Sequence, residues 1–248
     1  MSLESARITN GGTILHDRAF AIFDSNGQFV NGKANAMVHL LRSYIDFENQ
    51  TLSLRHHNEP EWQTFDLIHE RQKIDHFLSS FFGENVNMQQ NLNGRFMDIP
   101  DTSCVTVVST ASLESVANWF ASMHLDETRK RFRATLEISG EVAFWEDNLF
   151  SGQGSVVEFT IGDVSVFGMS PRARCIVPTR NSESGEITHG FPKIFARHRL
   201  DNLPETSHLK EYGHGYYLTV DCHIPNSELG KSFQLGDELR IVGERTSA

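Results

Sequence analysis

Between Pro171 and Thr179 the sequence runs Pro171-Arg172-Ala173-Arg174-Cys175-Ile176-Val177-Pro178-Thr179, a lone cysteine with two arginines before it and an apolar run after it. Positive charge beside a thiol favours the thiolate, which is both a nucleophile and a soft metal ligand. The same residues read equally well as a buried cysteine opening a strand beside two solvated arginines, since cysteine is among the most buried residue types. The segment alone does not separate the two readings. Cys104 and Cys222 complete a set of three cysteines with no CxxC pair, which argues against a disulfide scaffold and against a cysteine-rich zinc or iron–sulfur site. Both lie in β-like runs and read as core residues. The 12 histidines include His56-His57 but no HExxH and no cluster with acidic partners, so they carry no zinc signature and read mainly as surface residues.

A formal net charge of -10 disfavours a broad electrostatic attraction to nucleic acid or to an anionic membrane. No apolar stretch approaches the ~20 residues that a membrane helix needs. The first residues also lack the charged-then-apolar pattern of a secretory signal. The expectation is a soluble, cytoplasmic protein without a nucleic-acid or membrane partner.

The elements that must position these residues are mostly short and β-like. Ala19-Phe20-Ala21-Ile22-Phe23, the turn residues Asp24-Ser25-Asn26-Gly27 and Gln28-Phe29-Val30 predict a hairpin with Asn26-Gly27 at its turn. Thr51 to Leu54 and Thr64 to Ile68 read as strands. From Arg71 the period changes, placing Ile74, Phe77, Leu78 and Phe81 on one face of a helix that ends at Gly83. Glu84 to Asn93 is rich in Asn and Gln and reads as a loop, with a domain boundary near residue 95. This divides the chain into 1–95 and 96–248. Beyond it, Val105 to Val108 predicts a strand, and Leu113, Val116, Ala117 and Phe120 recur at helical spacing with Ser112 available as N-cap. Val156 to Ile161, Val164 to Phe167, Cys175 to Thr179, Tyr216 to Val220 and Leu239 to Val242 read as strands. The turns Ile161-Gly162-Asp163 and Leu235-Gly236-Asp237 each lead into one of them. Many short strands with few helices indicate a mainly β, α+β protein. A closed or nearly closed barrel would also remove exposed edges, and a sandwich fits the pattern almost as well.

Taken in order, Arg131-Phe132-Arg133-Ala134-Thr135-Leu136-Glu137-Ile138, Phe144-Trp145-Glu146-Asp147, Ile161-Gly162-Asp163-Val164, Arg174-Cys175 and Ser184-Gly185 resemble the MOSC domain, named for the C-terminus of molybdenum cofactor sulfurases. Upstream, His16-Asp17-Arg18, Phe20-Ala21-Ile22-Phe23-Asp24 and Gly27 are similar to the smaller β-barrel-like domain that precedes MOSC in this family, which includes the mitochondrial amidoxime-reducing component. Each motif is weak by itself; their shared order is what carries the resemblance. It implies a molybdopterin-type molybdenum cofactor with Cys175 as metal ligand. Arg18, Arg133 and Arg174 would hold the pterin phosphate, Tyr217 in Gly215-Tyr216-Tyr217 would pack at the cofactor, and Thr135 and Ser109 are small polar candidates. Arginine suits a phosphate because its planar fork donates paired hydrogen bonds and keeps its charge. Each has a plain structural alternative: Arg18 and Arg133 as paired surface charges, and Tyr217 as a core strand residue.

The sequence departs from the family in three places. Thr135 stands where the family's Arg-Pro-Asn element has its asparagine, and a hydroxyl offers fewer bonds than an amide. Ala173 replaces a small polar residue beside the Arg-Cys pair. A Pro-x-Lys-Ser strand expected before Ser5-Ala6-Arg7-Ile8-Thr9 is missing, which reads either as a displaced start or as a real loss of part of the phosphate grip. The resemblance implies an oxidoreductase that reduces a small-molecule substrate, an N-hydroxylated compound, with electrons from a separate donor protein. No iron–sulfur run and no dinucleotide fingerprint is visible. The alternatives are a sulfur carrier or cofactor-handling protein using a Cys175 persulfide, of a family associated with pyridoxal-phosphate-dependent desulfurases, or a barrel that has lost its site.

Overall fold

The computed structural model describes residues 3–92, 96, 105–121, 123–140 and 142–246. Among these the chain is α+β, with four α-helices set among short strands, as the periodicity predicts. It forms two compact units. One draws on Met1–Asp17, Asn93–Arg174 and His189–Ala248, the other on Arg18–Leu92 and Cys175–Thr188.

The first unit is built on a six-stranded sheet in the spatial order Leu239–Thr246, Ser155–Ile161, Val164–Ala173, Tyr217–His223, Val105–Ser109, Leu136–Ile138. Every pairing is antiparallel except the last. A parallel pair needs a crossover, and the helices Thr110–Asn118 and Leu125–Phe132 lie between those two strands in the chain. Val105–Ser109 is buried along its whole length, which suits its three valines, while Thr106 and Ser109 find hydrogen-bond partners. Val107 packs in a cluster with Phe159, Val166 and Val220, while Val108 packs in another with Val116, Phe132, Phe144, Phe191 and Phe195. Phe191 and Phe195 are one turn apart on the helix Phe191–Asp201, so both point to that core. Gly168 allows a close approach, because a Cβ there would lie 1.6 Å from the Leu149 carbonyl oxygen. Ser5–Thr9 pairs separately with Ser232–Gln234 and Thr13–Ile14.

In the second unit Leu41–Asp46, Thr51–His56 and Gln63–Asp66 form an antiparallel sheet, and the helix Arg71–Phe82 buries Ile74, Leu78 and Phe82 with Leu52, Leu54, Val86 and Met88. The helix stops at Gly83, whose left-handed φ of 71° lets its N–H bond the Ser79 carbonyl. The hairpin at Asn26-Gly27 is formed, with Val30 N–H bonded to the Ile22 carbonyl at 2.8 Å.

Three expectations are corrected. The sheets do not close into barrels among the described residues; strand count and alternation do not encode closure, and Leu239–Thr246 is an edge carrying Arg240, Glu244 and Arg245. Within the segment 84–93, Val86–Gln90 is a strand paired with Phe20–Asp24. Its Val86 and Met88 are buried on one face while Asn87 and Gln89 lie on the other, and Gln90 is exposed at the strand's end. The strand leading to Cys175 ends at Ala173, and Val177–Thr179 is a 3₁₀ turn. Pro178 donates no backbone bond and favours that turn over a ladder. Cys222 is a core residue, and Cys104 lies outside the described residues.

Candidate functional site

Arg133, Thr135, Ser109, Arg174 and Tyr217 belong to the first unit, and Arg18 and Cys175 to the second. Arg133 ends the helix Leu125–Phe132. Asp126 and Glu127 in its first turn and Arg129, Lys130 and Arg131 in its last suit the helix dipole. The helix terminates with Arg133 in the left-handed region, at φ 51° and ψ 46°, and its N–H bonds the Arg129 carbonyl at 2.9 Å. Glycine usually takes this position, so an arginine here holds a disfavoured backbone. Arg174 Nη2 donates to the Phe132 carbonyl at 2.7 Å, its guanidinium lies 5.2 Å from the centre of the Phe132 ring, and its N–H bonds the Tyr216 carbonyl at 3.0 Å. The fold therefore brings Arg133 and Arg174 to one helix C-terminus across 41 residues of chain, counting from 133 to 174. Arg131 in the same turn is buried and paired with Glu127 at 2.6 Å.

Thr135 is tied to the neighbouring strand. Its N–H donates to the Thr106 carbonyl and hydroxyl, both at 3.1 Å, and its hydroxyl accepts the Thr106 N–H at 3.3 Å. Ser109 is the N-cap of the helix Thr110–Asn118, a role the sequence offered to Ser112; its Oγ accepts the Ser112 N–H at 3.1 Å. The network continues inward. Ser112 Oγ accepts the Phe144 N–H at 2.5 Å, lies 2.7 Å from Ser109 Oγ, and donates to Glu146 Oε2 at 2.8 Å. Glu146 is 1% exposed, and burial pushes its carboxyl above the usual range despite the Ser112 bond.

Tyr217 is buried at the start of the strand Tyr217–His223, and its hydroxyl donates to the Tyr212 carbonyl at 2.7 Å. Burial, helped by Glu211 and Tyr217, raises the Tyr212 phenol. The ladder pairs Pro171 with Val220 and Ala173 with Tyr217, so two residues, Leu218 and Thr219, oppose the single Arg172. Without this bulge Ala173 would face Leu218, and Tyr217 would emerge on the other side. The extra residue is accommodated by Thr219 at φ 73°, a conformation that opposes a β-branched side chain. Its buried hydroxyl has no hydrogen-bond partner among the described residues.

In the second unit Arg18 is half-buried, also left-handed at φ 51°, and lies two residues before the strand Phe20–Asp24; the intervening Ala19 carbonyl accepts the Asn91 N–H. Cys175 is half-buried and opens the segment 175–188. That segment closes on itself through Thr188 N–H to the Thr179 carbonyl at 2.7 Å and Arg180 Nη1 to the Gly185 carbonyl at 3.1 Å. Asn181 Oδ1 accepts the Glu183 and Ser184 N–H groups, and Arg42 Nη2 holds the Glu183 carbonyl at 2.8 Å. Sequence reasoning did not find the roles of Thr219 and Glu146. Only the spacing Ser109-Thr110-Ala111-Ser112, a cap followed three residues later by a second hydroxyl, signalled part of the network.

A guanidinium held at the helix end that Arg133 terminates has the chemistry to hold a phosphate, and a half-buried thiol has that of a soft metal ligand. No curated protein matches the chain. The family model of the MOSC N-terminal beta barrel domain matches residues 1–124, and that of the MOSC domain matches residues 99–223. The MOSC domain is associated with binding of the molybdenum cofactor. With the two matches together spanning most of its length, the chain belongs to the MOSC family.

Proposed function

We propose that this protein binds the molybdenum cofactor through Cys175 and is an oxidoreductase that removes the oxygen of N-hydroxylated compounds, with electrons delivered by a separate protein. The observation that supports it most is the meeting of Arg133 and Arg174 at the end of Leu125–Phe132, inside the region matched by the MOSC domain and one residue before Cys175. The donor set fits the group in kind: a thiol for the metal, and guanidinium groups from Arg133, Arg174 and Arg18 for a phosphate. Tyr217 is buried in the core with its hydroxyl on the Tyr212 carbonyl, so its share is to the strand that carries it rather than to a cofactor. Bound there, the cofactor would supply two-electron redox chemistry at the metal. Reduction of an N–OH group to N–H consumes two electrons and two protons and releases water. The chain's own share is to bind and orient. The left-handed Arg133 fixes where its side chain leaves the helix, and the Phe132 carbonyl holds the Arg174 fork.

A second reading is favoured by the position of Cys175 in a loop rather than in a ladder, because a half-buried loop thiol also suits a persulfide carrier. The test is molybdenum and released pterin per chain, on protein made in a host that synthesises the cofactor, for the wild type and Cys175→Ser. Near-stoichiometric metal that is lost in the near-isosteric variant supports the proposal. Metal retained in the variant sinks the ligand assignment. A persulfide on Cys175, seen by mass spectrometry in metal-free wild type, selects the carrier.

A further inference from the structure

The second unit holds an open cleft of about 700 Å³ between the helix Arg71–Phe82 and the strands Thr51–His56 and Gln63–Asp66, and every residue lining it belongs to that unit. The volume lies in the range of ~300–1,000 Å³ usual for small-molecule sites. Its origin is in the strand pattern. Leu52 and Leu54 point to the core, so by alternation His56 lies on the same face, and the register that pairs Leu52 with Phe65 and Leu54 with Gln63 puts those two residues there as well. At one end the face thus changes from leucine to histidine and glutamine, where apolar residues would have extended the core. The helix matches this change. Ile74, Leu78 and Phe82 enter the core, Phe77 and Phe81 lie half-buried beside them, and Gln72, His76 and Ser80 form an exposed row at a spacing of four along the cleft.

The floor is made of rings. Phe65 meets Phe77 edge-on with centres 5.9 Å apart, and the His56 imidazole lies 5.6 Å from the Phe81 ring. His56 Nδ1 accepts the Asn58 N–H at 3.2 Å, so in the neutral imidazole Nε2 carries the proton and is a donor. Among the described residues no arginine lines the cleft, and its lysine, Lys73, is paired with Glu70 at 2.5 Å.

We infer that this cleft binds an uncharged planar heterocycle with donor and acceptor edges, of the purine base or nucleoside class. Half-buried rings suit a flat aromatic ligand. A glutamine amide sets a donor beside an acceptor, the pattern that pairs with N6 and N7 of adenine. A phosphate would call for a guanidinium or a free ammonium, which the lining does not offer. Polar side chains at core-facing positions break the rule by which the rest of this unit is built, and such breaks are characteristic of functional sites. The inference is independent of the cofactor reading.

Calorimetric titration of the full chain with adenine, adenosine and adenosine monophosphate tests it, on wild type, Gln63→Ala and His76→Ala. Both side chains are exposed, so the variants are expected to keep the wild-type thermal midpoint. Wild type is expected to bind adenine and adenosine, to bind the monophosphate no more tightly than adenosine, and to lose about two- to tenfold in affinity in each variant, the size of one hydrogen bond. Absence of binding of adenine and adenosine at millimolar concentration overturns the inference, as do unchanged affinities in both variants, which would put the ligand elsewhere. A clear preference for the monophosphate overturns the uncharged class. None of these readouts requires molybdenum, so a failure here leaves the cofactor reading where it stands.

Discussion

Replacing Asp147 by alanine is expected to be among the most destabilising single changes in the first unit. Asp147 and Arg199 are 3% and 2% exposed at their side chains, and Arg199 Nη2 reaches Asp147 Oδ1 at 2.6 Å and Oδ2 at 2.7 Å. Ser207 Oγ donates to the same carboxylate at 2.5 Å, and the guanidinium lies 4.0 Å from the centre of the Phe144 ring. Arg199 Nε and Nη1 have no other partner among the described residues, so the carboxylate is the chief compensation for a charge out of water. Removing it leaves that charge stranded, at about 3–5 kcal/mol. Native stabilities are only about 5–15 kcal/mol, so this is a large fraction. With a urea slope of about 1–3 kcal/mol/M, the unfolding midpoint should fall by about 1 M or more. Arg199→Met should be costly for a related reason, because it strands the carboxylate with Ser207 and gives up a cation–π contact worth about 2 kcal/mol when desolvated. The two changes together should cost less than their sum by about 2–3 kcal/mol, since the double variant buries no unpaired charge. Urea titrations of the four proteins close the cycle. A loss below about 1 kcal/mol for Asp147→Ala, or simple additivity, would show that this pair is not what neutralises the buried guanidinium.

Two further outcomes follow from the same unit. Glu146 is raised above the ordinary carboxyl range by burial, so the fold favours its neutral form; its contribution to stability is full below the unfolded value and is lost as pH rises through the folded one. Glu146→Gln keeps a neutral acceptor for Ser112 and should flatten that alkaline loss, read as the difference in thermal midpoint between acid and mildly alkaline buffer; parallel curves for the two proteins would contradict it. Thr219→Gly relieves both the left-handed strain and the buried unpaired hydroxyl, and should raise stability by about 1 kcal/mol in chemical denaturation. A loss instead would mean that the threonine methyl packing outweighs both terms.

Much of the architecture was legible in local periodicity. The helix from Arg71 to Gly83 shows itself by an apolar residue every three or four positions and a left-handed stop, both of which act within one or two turns. The hairpins at Asn26-Gly27 and Gly162 are equally local, because turn chemistry sets their register. Val86–Gln90 was obscured since a strand with one polar face and only two inward residues resembles a loop in composition. The helix Leu125–Phe132 drew no notice for its period, as it is largely charged and reads first as a set of motif residues. Of the candidate site, residue types were visible and roles were not. Ser109 and Thr135 look like ligand groups in the sequence, while their hydroxyls serve a helix cap and a neighbouring strand.

By itself the sequence determined which family this chain belongs to, its α+β character and the identity of the thiol and arginines that suit a cofactor, because these depend on residue type, order and short-range spacing. Only the tertiary structure decided that Arg174 reaches the Phe132 carbonyl, that Tyr217 lies under His214 on the side set by the Thr219 bulge, and that compact units are made of separated segments. Those outcomes depend on pairings between distant residues, and one inserted residue in a ladder reverses a side chain without leaving any mark on the local pattern.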